Sequence, residues 1–319
     1  MDESLILVRA IHLASSAMIA GGAVFTHWIG RAASDAGHCG AVRTRMRWWL
    51  AGNLSVAIAS SVAWLILAAA RMTDRPAAEV LTDGTAWVVL TQTQFGLVWQ
   101  LRLLCAGLLA AIILLENSSR AAARWPAALT PPAAILYIGG LAWAGHAGGT
   151  PGEPGYLHLG ADVLHLVAAG AWLGALPALA LWLGRLPSAG DRDAQELMVR
   201  VIGRFSDFGV IGVTLLLASG LINSWFLVGS MQALFGTDYG HILLVKIALF
   251  LAMVSFAAAN RLRHLPRLSP GTGAHQAADG LRQLRRNTIA ETCLGLGIVI
   301  AVAKLGTMAP VAHWASHMH

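Results

Sequence analysis

A chain of 319 residues with 56% hydrophobic and only 12% charged side chains is too apolar for a soluble domain, where about a quarter of the residues carry charge. Its three cysteines (Cys39, Cys105, Cys293) lie far apart with no CxxC spacing, which excludes a disulfide frame or a cysteine metal knuckle. The net charge of +6 would point to acidic partners in a soluble protein, but here the placement of the charge matters more than its sum.

Eight apolar segments are long enough to cross a hydrocarbon core of about 30 Å, which takes about 20 helical residues. They fall at 5–29, 49–70, 96–115, 126–145, 157–183, 208–228, 241–259 and 289–306. The expected fold is therefore an all-α polytopic membrane protein with eight transmembrane helices, forming a single integral membrane domain. Asp2 and Glu3 precede the first apolar run, the opposite of a basic signal-peptide start, so no removable signal is expected.

Arginines set the orientation. Loops after the first, third, fifth and seventh segments hold sixteen, among them Arg43, Arg47, Arg124, Arg200, Arg261 and Arg286. The opposite side holds only Arg71 and Arg75. Basic loops stay cytoplasmic, so both termini are expected on the periplasmic side of a bacterial inner membrane. The loops are read as orientation signals and anionic-lipid contacts; no nucleic-acid partner is expected. The stretch 261–287, rich in Pro and Gly, reads as a flexible connection without a fold of its own.

An internal repeat is legible. QTQFGLVWQLR (92–102) and GTDYGHILLVK (236–246) share Thr, an aromatic, Gly and a cation at an offset of 144. His12 with Gly21 matches His165 with Gly174 at the same nine-residue spacing, and three residues before each histidine stand Arg9 and Asp162. Two parallel four-helix repeats are expected, approximately 1–150 and 151–319, related by an axis along the membrane normal. His12 and His165 would then lie at one depth, about 12 Å inside the outer face at 1.5 Å per residue.

The fifth segment carries the chemistry. His158, Asp162, His165 and Trp172 fall on one helical stripe of an otherwise apolar helix. Ionisable groups in a membrane span are costly and mark functional sites by default. Eight of the twelve histidines lie on the outer side by this topology, and imidazole is the commonest neutral ligand for copper, zinc and iron. His12, His146, His158 and His165 are the candidate metal ligands. Asp162, Trp172 and Lys246 are supporting residues, with Asp162 ligating or orienting an imidazole. Lys246 and Arg102 either snorkel to the interface or pair with a carboxylate such as Asp238. The tail from Met308 offers the Met308 thioether with His313, His317 and His319 as peripheral metal ligands. Met18 and Met253 read as core packing or mid-membrane thioethers, and His27, His38 and Cys39 as an inner exit. Glu291 is read as interfacial.

DVLHLVAAGAWLGALPAL, RFSDFGVIGVTLLLASGLINSWFLVGS and TDYGHILLVKIALFLAMVSFAAANRLR together resemble the copper resistance protein D (CopD/PcoD) family, as do the eight-helix plan, GHA closing the fourth segment and Glu291 entering the eighth. The sequence has AWLGA where the family tends to WxGG, with Ala175 in place of the second glycine, a change expected to loosen helix packing slightly. The resemblance implies copper movement from periplasm to cytoplasm, as Cu+ or Cu2+, beside a periplasmic CopC-type copper-binding partner. No catalytic residue is assigned, and the chain is expected not to be an enzyme, redox activity apart; no nucleotide motif is present, so ATP drive is not expected. The alternative is a b-type cytochrome-like oxidoreductase, with haem held between His12 and His165.

Overall fold

The computed structural model describes residues 2–29, 39–118, 125–184, 192–269 and 272–312. Among the described residues, seven helices are long and apolar enough to cross a membrane, and a shorter apolar stretch, Ala128–Ala144, lies between the third and the fourth of them. Among the described residues there is no strand. The chain is an all-α polytopic membrane protein.

Helix α1 (Asp2–Val24) continues through a π-helical turn, Phe25–Ile29. After α2 (Cys39–Thr73) come two short helices, α3 (Ala77–Thr82) and α4 (Thr85–Gln92), and then α5 (Gln94–Ser118). α6 (Trp125–Gly139) is short, holds Pro131 and Pro132, and gives way to 3-10 turns at Gly140–Ala144 and His146–Gly149. α7 (Gly152–Leu173) and α8 (Ala175–Leu183) follow one another across Gly174. The rest comprises α9 (Arg192–Leu227), the short α10 (Met231–Gly236), α11 (Asp238–Ala259) and α12 (Ala274–Leu305). Helix starts carry their own signals: Thr93 and Thr237 hydroxyls accept from the amides of Gly96 and Gly240 at 2.9 and 3.1 Å, satisfying donors that the first helical turn leaves open.

Three helices extend well past the apolar runs that mark them. α2 begins at Cys39 and not at 49, α9 at Arg192 and not at 208, and α12 at Ala274 and not at 289. The extensions are amphipathic. Leu197, Met198, Val201, Ile202 and Phe205 are buried on one face of α9 while Arg200 and Arg204 face outward. On α12, Ala277 and Leu284 are buried beneath Arg282 and Arg286. The stretch 261–287 is thus not a foldless connection. It holds a π-helical turn at Asn260–His264, a 3-10 turn at Leu265–Leu268 and the first turns of α12, with Leu268 fully buried. Averaged over charge, such faces look polar; only their period reveals the buried stripe.

α1 packs against α2, α6, α7, α8 and α12, and α7 against α1, α6 and α9. One buried cluster surrounds α7 and α8 with α9, α11 and α12; two others surround α1 with α2, α5 and α6. The outward faces are apolar as well, with Leu104, Leu221 and Trp225 exposed, as a lipid-facing surface requires.

α1 crosses α7–α8 at a backbone contact. A Cβ on Gly174 would overlap the Ala17 carbonyl, and one on Gly21 would overlap the Gly174 carbonyl carbon. Only glycine lets two helix backbones approach so closely. Ala175 beside it is completely buried. Gly160, on the same helix, has open space where a Cβ would stand. Gly174→Ala should therefore lower the thermal unfolding midpoint in detergent, as overpacking typically costs about 1–3 kcal/mol. Gly160→Ala should leave it unchanged or raise it, because glycine inside a helix costs about 0.5–1 kcal/mol against alanine.

Candidate functional site

Where α7 faces α1, α9, α11 and α12, a cavity of about 440 Å³ opens. His158, Asp162 and His165 reach it from α7, His146 from the turn after α6, Asn223 from α9, and Tyr239 and Lys246 from α11. Arg9 and Trp64 close the α1–α2 side. Of the stripe expected on α7, His158, Asp162 and His165 face one space while Trp172 does not, and His146 joins the three from a neighbouring element.

His165 is held in one protonation form by its neighbours. Ser219 donates its hydroxyl proton to the Leu215 carbonyl at 2.6 Å, so its oxygen accepts from His165 Nδ1–H at 3.0 Å. The proton on Nδ1 leaves the Nε2 lone pair as acceptor. Lys246 Nζ stands 3.5 Å from that Nε2, at the outer limit of a hydrogen bond. The ring rests on Gly220, where an added Cβ would lie 3.4 Å from His165 Cε1.

Asp162 Oδ1 accepts from Asn223 Nδ2 at 3.1 Å, while Asn223 Oδ1 is buried with no hydrogen-bond partner. A buried acceptor left open beside a carboxylate is a place for a cation or a water proton. His158 is buried, stacks on Phe226 at 4.7 Å with rings 6° from parallel, and its Nδ1 lies 2.8 Å from Thr150 Oγ1. His146 Nε2 lies 3.4 Å from the Leu305 carbonyl. Among the described residues, no three His, Cys, Asp or Glu side chains converge closely enough to hold one ion together. Any ion in the cavity meets its donors a few at a time.

The other expected residues lie elsewhere. His12 does not line the cavity. It is wholly buried, and its ring is boxed by Trp64, Trp99 and Tyr137 at 5.4, 5.9 and 6.4 Å between centroids. Its Nδ1–H faces the Ala57 carbonyl and Ser60 Oγ, both at 3.1 Å, and its Nε2 accepts from Arg102 at 2.7 Å. Arg102 also donates to the Tyr137 carbonyl at 2.5 Å. The His12 lone pair is thus engaged by a guanidinium, and His12 and His165 do not face each other across one space as a shared haem would require. Neither Arg102 nor Lys246 snorkels: Arg102 is buried on His12, and Lys246 turns into the cavity while Asp238 stays exposed. Trp172 is a fully buried wall of a different cavity, edge-on to Phe250 at 6.4 Å. Met308 packs with Tyr239, Leu243 and Leu305. His313, His317, His319 and His38 lie outside the described residues. His27 Nδ1–H donates to the Ala23 carbonyl one helical turn back.

Two features escaped the sequence. One is the serine beneath each histidine. Ser60 stands to His12 and Arg102 as Ser219 stands to His165 and Lys246. The residue three before each histidine meets the residue four after each serine: the Arg9 guanidinium lies 4.4 Å over the Trp64 ring, and Asp162 pairs with Asn223. This shared spacing was the available signal. The other is Glu291, which is not interfacial but buried, accepting from Asn260 at 2.7 Å.

Comparison with known proteins places these residues in context. Residues 1–156 match the family described as copper resistance protein D-like, N-terminal domain, and residues 199–305 match copper resistance protein D. The chain is 31% identical over 234 residues to copper resistance protein D of Pseudomonas syringae pv. tomato, covering 70% of this chain and 72% of that one. It is 32% identical to the inner membrane protein YebZ of Escherichia coli (strain K12), with the same coverage of each. To the copper transport protein CutJ of Bacillus subtilis (strain 168) it is 34% identical over 142 residues, which is 44% of this chain and 24% of that protein. No solved structure matches. The chain belongs to the copper resistance protein D family.

Proposed function

We propose that this chain carries copper across the bacterial inner membrane from periplasm to cytoplasm, and that the ion enters through the cavity lined by His146, His158, Asp162 and His165. The observation that carries the reading is His165: its Nδ1 proton is committed to Ser219, so its Nε2 lone pair is offered toward the cavity. Neutral imidazole of that form is a copper ligand. Family membership supplies the metal. The open Asn223 acceptor and the Asp162 carboxylate supply further oxygen donors.

The membrane arrangement that goes with this reading has eight crossings and both termini outside. The short stretch Ala128–Ala144 is the eighth crossing. Twelve residues at 1.5 Å and five in 3-10 form at about 2.0 Å reach about 28 Å, close to the core thickness. Sixteen arginines on one set of loops against two on the other put the His165 end outward. The inner-membrane setting is carried over from the name of the Escherichia coli relative. The matched His–Ser–cation sets support two parallel repeats, the first filled by Trp64 and Trp99 and the second open. The copper donor in this reading is a separate periplasmic CopC-type carrier, and the chain is a transporter, not an enzyme.

His165→Ala should reduce copper uptake into vesicles reconstituted with the protein to the level of empty vesicles; uptake at the wild-type rate would sink the reading. A Soret band in the purified protein would favour the haem alternative instead. His12→Ala should act differently. It removes the partner of a buried guanidinium, at a cost on the order of 2–4 kcal/mol, so the unfolding midpoint should fall while copper bound per folded molecule stays unchanged. Lys246→Met removes a positive charge near the His165 lone pair. Unit charges about 4 Å apart repel by up to about 4 kcal/mol at an effective dielectric of about 20, so copper should bind at least about tenfold tighter by chelator competition.

A further inference from the structure

The His165 cavity has a neighbour. A second cavity, of about 250 Å³, lies between α9, α11 and α12, lined by Ser206, Asn260, Thr288 and Glu291 among apolar side chains. The two stand back to back. Trp172 walls the smaller and the next residue, Leu173, walls the larger. On α12, Glu291 opens on the smaller cavity while Ile298 and Val302 line the larger. Between them on the same stripe is Gly295, where an added Cβ would lie 3.6 Å from Leu173 and 4.0 Å from Met253 Sδ. Lys246 and Met253 on α11 and Asn260 just after it recur every seven residues, the first in the larger cavity and the last in the smaller. The partition is thus a Leu173 side chain and a completely buried thioether, seated against a glycine.

The far end is chemically built. Gln283 donates to Asn287 at 3.2 Å, Asn287 to Asn260 at 2.8 Å, and Asn260 to Glu291 Oε1 at 2.7 Å. Every amide donor in this chain points toward the carboxyl, and hydrogen bonds so aligned reinforce one another. No cation pairs with Glu291 among the described residues. Arg261 lines the same cavity, but its guanidinium is turned to Ser206 and Asp207, each at 2.8 Å. Asn260 opens a π-helical turn, a distortion that clusters at functional sites.

We infer that Cu+ leaves the His165 cavity along the α11–α12 seam, past the Met253 thioether, to a release site at the Glu291 carboxyl in the second cavity. The inference rests on the transport reading above and supplies its inner half. A thioether is a soft donor suited to Cu+. A single hard carboxylate holds that ion weakly, which is what an exit requires, since conduction fails where binding is too tight to leave. Glu291 is the one carboxyl among the described residues that line the inner cavity.

The test uses vesicles reconstituted with the full chain and supplied with chelator-buffered Cu+, reading both copper bound per protein and copper taken up. Glu291→Gln keeps the shape and the Asn260 contact, and Met253→Leu conserves core volume. In each variant, binding should stay within about twofold of the unaltered protein while uptake falls at least about tenfold. Wild-type uptake in both variants overturns the route and leaves the transport reading standing. If the unaltered protein neither binds nor moves copper, the transport reading falls and takes the route with it. Because Met253→Leu is a packing-neutral change, lost uptake with retained binding separates the route from a folding defect.

Discussion

The approach of α1 to α7–α8 at Gly21 and Gly174 is the constraint on which the rest depends. No side chain separates the backbones there: the space a Gly174 Cβ would need is taken by the Ala17 carbonyl. In a bilayer, helices gain little from hydrophobic exclusion and associate through packing at such small-residue contacts. Nine residues from this crossing on each helix stands a histidine, buried on α1 and half-buried on α7. Rigid helices fix the histidines relative to the crossing, so the cavity opens on one side of α7 and a sealed core closes on one side of α1.

What each histidine does then follows from its neighbours. Both direct Nδ1–H at a serine whose own proton returns to its helix backbone, and both turn Nε2 toward a cation. Around His12 three large aromatic rings fill the space, and the guanidinium closes to 2.7 Å. Around His165 the positions matching Trp64 and Trp99 hold the smaller Asn223 and Leu243, Gly220 leaves room beside the ring, and the ammonium stands off at 3.5 Å. Side-chain volume, more than ligand type, separates a structural imidazole from one that can meet an ion.

Much of this was legible in the sequence, for reasons that are physical. Long apolar runs announce spanning helices, and Asp162 with His165 stands out because charge in such a run is costly. The helical extensions of α2, α9 and α12 were hidden because their arginines mask a buried face such as Leu197–Val201–Phe205. Ser60 and Ser219 were passed over because a lone serine in an apolar helix ordinarily bonds its own backbone and says nothing about what rests on it. His12 looked equivalent to His165 because spacing carries depth but not which way a ring is enclosed. Glu291 lies at the start of an apolar run, and only the fold brings α11 and the extended α12 together to bury it with Asn260.

Helix α12 has one more consequence. Its 32 residues form one unbroken helix, Ala274–Leu305, about 48 Å long at 1.5 Å per residue. At one end the Arg9 guanidinium presses against Gly306, leaving no room for a side chain. At the other, Leu284 and Ala277 are locked into the core beside the Leu265–Leu268 turn. A long helix curves gently, and sharp kinks come mainly from proline or a π-bulge, neither of which interrupts α12. It therefore joins the Arg9 contact at Gly306 to the packed turns around Ala277 through one continuous element, with the α11–α12 seam between the two ends.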